Sequence, residues 1–277
     1  MASQADIHPS AVIEPGAELG SGVTIGPFCH VGAHVALGDG VVLGSHVSIT
    51  SATKVGAGTR VAAHAVLGGL PGDTKHKGSL TRLTIGSNCD IREFVTMHAG
   101  SDQSTGETIV GDNGLFLATA HVGHDCRVGN NVTLVNGATL GGHCEIADGV
   151  SIGGLTAVHQ FVRIGRRAFL GGCAAVVGDV IPFGIVEGNK AKLRGLNVVG
   201  LKRSGMPRSE LLALRAAYKT IFATDGVLQD NLAVARQKFA HVPVALEIID
   251  FLSARGRRHF VVPPTRRSGD DDGDDLL

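Results

Sequence analysis

Long stretches of this chain place an aliphatic residue at every sixth position. Steps of six from Ile7 land on Ile13, Leu19, Ile25, Val31, Leu37, Leu43, Ile49, Val55, Val61 and Leu67. A second run gives Ile85, Ile91 and Met97, and a third holds register from Val110 through Phe116, Val122, Val128, Leu134, Leu140, Ile146, Ile152, Val158, Ile164 and Leu170 to Val176. A repeat this long is the mark of a solenoid. The fifth position of each hexad is also restricted, as Ala11, Ala17, Val23, Cys29, Val35, Val41 and Val47, and later Ala120, Cys126, Val132, Ala138, Cys144 and Val150. Two inward sites per hexad fit a short strand followed by a turn. Three such strands close a triangular coil of 18 residues. Stacked coils then bond backbone to backbone at ~4.8 Å spacing. The expected fold is an all-β parallel β-helix with a narrow aliphatic core over residues 1–187.

Two stretches break the period. "GGLPGDTKHKGSLTR" and "GSDQSTGET" carry turn chemistry and charge and read as external loops at about 68–84 and 99–109. Beyond Glu187 the period becomes helical. Leu211, Leu214, Tyr218, Ile221 and Phe222 form one apolar face, Leu228, Leu232, Ala235 and Phe239 a second, and Val244, Ile248, Phe251 and Leu252 a third. Residues 188–262 therefore read as a small helical domain, with Pro207 in the first turn of its first long helix. Residues 263–277, "PPTRRSGDDDGDDLL", read as a disordered acidic tail.

Charge and cysteine usage narrow the function. Lys plus Arg equals Asp plus Glu at 25 each, which gives no nucleic-acid footprint. No apolar run reaches the ~20 residues of a membrane span, and the N-terminus lacks a secretory pattern. The 5 cysteines include no CxxC pair, and four of them (Cys29, Cys89, Cys126, Cys144) fall on the inward fifth position. They read as core fillers in a reducing cytoplasm.

Coil arithmetic gathers the histidines. Positions 18 apart stack, so His124, Gly142 and Gln160 share a column, with His143, His159 and His121 close by. Four histidines and a glutamine thus meet at one outer corner of three coils, whereas His8, His30, His34, His46 and His64 read as merely exposed. Imidazole suits proton transfer near neutrality, and a neighbouring carboxylate, here Asp125, can fix its tautomer. Gly142 offers a bare N–H for an oxyanion. With no outward Ser or Cys at this corner, direct attack by a substrate hydroxyl is favoured over a covalent enzyme intermediate.

"HVGHDCRVGNNV", "GGHCEIADGVSIGGLTAVHQFVRIG", "GGCAAVVGDVIPFGIVEGN" and "LNVVGLKRSG", followed by a helical tail, closely resemble the acyl-[acyl-carrier-protein]–UDP-N-acetylglucosamine O-acyltransferase family over residues 1 to 255. The resemblance implies a left-handed β-helix, a handedness that periodicity does not reveal. It implies a cytoplasmic homotrimer with active sites between subunits. The reaction it implies is the first of lipid A biosynthesis, moving a 3-hydroxyacyl group from acyl carrier protein to the 3-hydroxyl of UDP-N-acetylglucosamine. No cofactor is implied beyond the phosphopantetheine that carries the donor. His124 matches the family's general base, Asp125 its orienting carboxylate and Gly142 its oxyanion donor. Asp73, Lys75 and His98 match sugar contacts, and His121, His143, His159 and Gln160 match further substrate contacts. Asn197 and Arg203 match contacts to uridine and diphosphate, and Gly154 and Gly172 an acyl-chain groove.

The chain departs from the family pattern at Val199, where a Glu is usual, at Ser204, where an Arg is usual, and at Lys190, where a His is common. The acceptor's 3-amino analogue is a second candidate. Rival readings are the N-acyltransferase of the same pathway, an acetyl-CoA acetyltransferase and a γ-carbonic-anhydrase type zinc enzyme. The first needs an N-terminal uridine domain, but hexads already begin at Ile7. The last needs three histidines on one ion. No metal is expected at a corner built from His124, Asp125 and a glycine column.

Overall fold

The computed structural model describes residues 5–223 and 226–264. The expected tail at 263–277 therefore lies, beyond residue 264, outside the described residues. Short strands alternate with tight corners and stack in three sheets of eleven, nine and eight strands among the described residues, parallel but for the last strand of the first. Thr24–Ile25 belongs to the first face, His30–Val31 to the second and Ala36–Leu37 to the third. One coil returns after 18 residues, as in the pairs Ile7↔Ile25 and Leu134↔Ile152. Hydrogen bonds accordingly run from coil to coil.

First-position residues fill the axis, with Phe116, Met97, Leu134 and Leu140 fully buried. The fifth position sits beneath a carbonyl of the next coil. Cys126 donates to the Gly141 carbonyl at 3.1 Å and Cys144 to that of His159 at 3.3 Å. Thr156 does the same toward Gly171 at 2.7 Å, so a buried hydroxyl is satisfied where a hydrocarbon usually stands. Burial raises the pKa of the Cys29 and Cys89 thiols, and their place in the core makes these residues fillers.

Most corners turn on a left-handed residue. Asp125 has φ +59°, His143 +62° and Phe161 +66°, successive members of one column. Asp tolerates this region at low cost, whereas an aromatic there is held by its neighbours. At the corner between the third and first faces, the backbone N–H groups of Ser87, Asp112 and Asn130 are each capped by the Asp or Asn one coil on, at 2.7–2.8 Å.

Both insertions leave from the corner between the second and third faces. One follows the strand Val66–Gly69 and the other Thr96–His98. They are shorter than the sequence suggests, because pairing extends into them. Arg82–Ile85 and Glu107–Val110 are four-residue strands stacked on one another and on Ala52–Val55. The loops proper fasten to each other, since Lys77 N–H and the Ser79 hydroxyl both donate to Asp102.

Residues 188–262 do not begin as helix. Gly188 (φ +92°) turns the chain, and Lys192–Leu196 runs antiparallel to Gly184–Glu187 as the last strand of the first face. Four helices follow: α1 (Val198–Arg203), α2 (Arg208–Ile221), α3 (Leu228–Lys238) and α4 (Pro243–Ser253). Pro207 is the N-cap of α2 rather than part of its first turn. Leu211, Leu214, Leu232, Ala235, Ile248 and Leu252 are buried together. Arg166 holds α4 to the prism through a forked pair with Glu247 at 3.0 and 2.7 Å.

Candidate active site

The histidine corner is built from coil ends, so its geometry follows from the repeat. The strand His121–Val122 ends the second face, and the chain turns through Gly123, His124 and Asp125 before Arg127–Val128 begins the third. The left-handed turn at Asp125 folds its side chain back. Its Oδ2 lies 2.8 Å from His124 Nδ1. Asp125 is 5 % exposed, yet its carboxylate is well satisfied. Ser101 N–H donates to Oδ2 at 3.0 Å and the Thr105 hydroxyl to Oδ1 at 2.9 Å. An ionised carboxylate only accepts, so His124 Nδ1 carries the proton and Nε2 presents a lone pair.

Gly142 lies directly under that ring. A Cβ there would stand 2.6 Å from His124 Nε2, so no other residue fits without displacing the imidazole. Among the described residues the Gly142 N–H has no partner, while the N–H groups of His143 and Gly141 are bonded within the ladder. His124 Nε2 and the unpartnered Gly142 N–H therefore belong to adjacent groups of one corner.

The neighbouring rings are desolvated. His98 and His121 meet edge to face at 4.7 Å, and the Thr96 hydroxyl lies 2.7 Å from His121 Nδ1. Burial, reinforced by His98 and His124, pulls the His121 pKa down to about 4. Burial lowers those of His98 and His143 as well. These rings are neutral at pH 7 and can donate or accept hydrogen bonds without carrying charge. His143 meets the His124 ring edge-on at 4.9 Å and stacks on Phe161 at 4.4 Å.

The first loop brings Asp73 to this corner. Its Oδ2 accepts from the Ser101 hydroxyl at 2.8 Å and its Oδ1 from Lys75 N–H at 2.9 Å, and these bonds hold its pKa down. Ser101 thus ties Asp73 to Asp125. The Lys75 side chain is exposed. His159 and Gln160 stand exposed one coil further on, where Arg258 reaches His159 Nδ1 at 2.6 Å and the Gln160 carbonyl at 2.9 Å.

Two groups from the sequence lie elsewhere on the prism. Gly154 and Gly172 are at the corner between the first and second faces. Neither has a left-handed φ, and a Cβ on Gly172 would meet only Gly154 atoms, at 3.2 Å or more. Asn197 and Arg203 sit at the third corner. Asn197 caps α1 through the Gly200 N–H at 3.1 Å and donates to the Arg167 carbonyl at 3.1 Å. A cavity of about 570 Å³ there is lined by Asn197, Ser204, Arg166, Arg167 and Asp148. Ser204 accepts from Arg167 at 2.9 Å, and Arg203, Val199 and Lys190 are exposed.

Donor atoms of His124, Asp125 and His143 lie within 4.8 Å of one another, close enough to surround an ion. His124 and Asp125 are bonded to each other, however, so an ion would have to replace that hydrogen bond and compete with Ser101 and Thr105. Those two loop residues, with Phe161, are the site members that sequence reading missed. Ser and Thr in a loop without a period carry no signal of what they touch.

A hexapeptide-repeat prism with a histidine–aspartate pair over a bare glycine defines an acyltransferase of the β-helical class. Known relatives place it further. A family description, "Udp N-acetylglucosamine O-acyltransferase; Domain 2", matches residues 179–261, and "Bacterial transferase hexapeptide (six repeats)" matches 16–51. The acyl-[acyl-carrier-protein]–UDP-N-acetylglucosamine O-acyltransferase of Agrobacterium fabrum is 50% identical over 200 residues, covering 72% of this chain and 74% of its own. That of Bartonella henselae is 47% identical over 201 residues, covering 73% of each. Among solved structures, a UDP-N-acetylglucosamine acyltransferase is 38% identical with a TM-score of 0.90, covering 94% of this chain and 100% of its own. The Campylobacter jejuni enzyme is 37% identical with a TM-score of 0.88 and the same coverage. The chain belongs to the acyl-[acyl-carrier-protein]–UDP-N-acetylglucosamine O-acyltransferase family, and its prism is a left-handed parallel β-helix.

Proposed function

We propose that this chain transfers a 3-hydroxyacyl group from the phosphopantetheine thioester of acyl carrier protein to the 3-hydroxyl of UDP-N-acetylglucosamine. This would be the opening step of lipid A synthesis, in the cytoplasm. The observation that carries the reading is the His124–Asp125 pair, held at 2.8 Å with Nε2 over Gly142.

The sugar oxygen attacks the thioester carbonyl while His124 Nε2 takes its proton. Asp125 stabilises the imidazolium, and its own charge stays in place because Ser101 and Thr105 hold it. The oxyanion of the tetrahedral intermediate accepts from Gly142 N–H. Collapse breaks the C–S bond, and the departing sulfur recovers the proton from His124, so the enzyme ends as it began. No cofactor enters beyond the carrier's own arm. Asp73, Lys75 and His98 would hold the sugar, and neutral His121 and His143 would bond to substrate with His159 and Gln160. Asn197 and Arg203 would hold the uridine and diphosphate, with Gly154 and Gly172 lining the acyl groove.

The site is completed by a homotrimer. Two observations support this. The nucleotide set lies at a different corner from His124 in one subunit, so the two meet only across a subunit boundary. The corner bearing Gly172 also exposes a stacked ladder, Phe28, His46, His64 and Phe94, with centroids 4.7–5.0 Å apart, and Leu155 beyond it. Such an edge is expected to be covered.

An acyl-transfer assay with a panel of acyl-carrier-protein thioesters tests the reaction, run against UDP-N-acetylglucosamine and its 3-amino analogue. Absence of transfer to either sugar would overturn it. Activity abolished by chelation and restored by zinc would favour the metal reading instead.

A further inference from the structure

The segment after α4, Arg255-Gly256-Arg257-Arg258, is not a loose end. Arg163 donates to the Ala254 carbonyl at 2.7 Å, and Asp179 N–H donates to the His259 carbonyl at 2.7 Å. A Cβ on Gly256 would stand 2.5 Å from Asp179 Oδ2, so glycine lets the segment lie flat on the prism. It crosses the coils beside the histidine corner. There it closes a cavity of about 460 Å³ whose walls include Arg127, Arg163, Arg255 and Arg257 together with Asp125 and His143.

The charge of this cavity is unbalanced. Arg163 is paired with buried Asp179 at 2.7 Å. Among the described residues no carboxylate pairs with Arg127, Arg255 or Arg257. Of the two carboxylates on the walls, Asp125 is already held by Ser101, Thr105 and His124, leaving Glu145 against three free guanidinium groups. In a chain with no net charge this concentration has a direction. Arg257 is also fixed in place, 4.5 Å over the Phe161 ring, which stacks on His143, which abuts His124.

We propose that Arg255 and Arg257, with Arg127, form an anion site that seats a phosphate group of a substrate beside the catalytic pair. Guanidinium forks match phosphate oxygens, and among the described residues three guanidinium groups here have no carboxylate partner. The assignment of that phosphate to a substrate rests on the acyl-transfer reading. It belongs either to the phosphodiester of the donor's carrier arm or to the diphosphate of the nucleotide sugar.

The test compares the full-length wild type with the Arg255→Gln/Arg257→Gln double variant, after matching their melting temperatures. Steady-state constants are measured with acyl-phosphopantetheine, with dephosphorylated acyl-pantetheine, and with varied UDP-N-acetylglucosamine. The expected result is a rise of about tenfold or more in KM for one phosphate-bearing substrate, with kcat within about twofold. A rise for acyl-phosphopantetheine that vanishes with acyl-pantetheine assigns the carrier arm, and a rise for the nucleotide sugar assigns the diphosphate. Unchanged KM values for both overturn the site. So does a loss confined to kcat, which would make the segment only a prop for Phe161 and His143. Should the wild type transfer no acyl group at all, calorimetric titration with inorganic pyrophosphate decides. Weaker binding to the variant keeps the site while the reaction falls, and equal or absent binding removes the site.

Discussion

At the scale of single residues, the corner sets His124, bonded to Asp125, beside rings whose pKa burial lowers. His124→Ala should lower kcat by about 10²–10⁴-fold, the usual span for a general base, with melting unchanged because the ring lies outside the aliphatic core. Wild-type turnover by this variant would remove the assignment. Asp125→Asn should cost less, since Ser101 and Thr105 still orient the side chain while the imidazolium loses its counter-charge. The desolvated rings make a prediction about stability. His121 titrates near 4 in the folded chain, against about 6.5 when unfolded. Between those values the unfolded chain holds a proton that the folded one refuses. Folded stability should therefore fall as pH drops from about 6.5 to about 4 and level off below, with no contribution above 6.5. Melting curves across that window check this, because His121→Gln should flatten the slope. An identical slope in the variant would show that His121 is not its source.

At the scale of elements, the proposed acyl groove beside Gly154 and Gly172 can be tested by filling it. Gly172 has an ordinary φ, and the left-handed turn is made by Cys173 at +58°, so a side chain at 172 need not damage the corner. One coil spans ~4.8 Å, and an extended hydrocarbon advances roughly 1.3 Å per methylene. Gly172→Met should thus shorten the preferred acyl chain by about four carbons. At ~0.8 kcal/mol per methylene this is about a hundredfold shift in selectivity. Assays with donors of differing length, beside a melting curve, check it, and an unchanged profile in a folded variant would place the ruler elsewhere. The prism was legible in the sequence because its inward positions declare themselves at every sixth residue, and the histidine corner was legible because stacking every 18 residues follows from the repeat alone. The hold on Asp125 was not. Ser101 and Thr105 reach it from an aperiodic loop, where no spacing rule says which residue an OH will meet. The strand Lys192–Leu196 was missed for a similar reason, since "KLRGL" alternates too briefly to stand out from the helices after it.

For the whole molecule, the distribution of functional groups over three corners predicts the assembly. Sedimentation at assay concentrations should find a trimer, and an active monomer would contradict the division of the site between subunits. The aromatic ladder should be the sensitive edge, so that Phe28→Glu with Phe94→Glu lowers the trimer fraction and the activity together. The hydrogen-bond ladder has a further consequence, which concerns force. The backbone hydrogen bonds between coils run parallel to the prism axis, as from Thr133 to Val150 and from Gly153 to Leu170. Tension along that axis would peel coils away in succession, each step loading a few bonds. Tension across it would load covalent backbone running round the triangle. The prism is a material with a grain, and its strong direction runs round the triangle rather than along the axis.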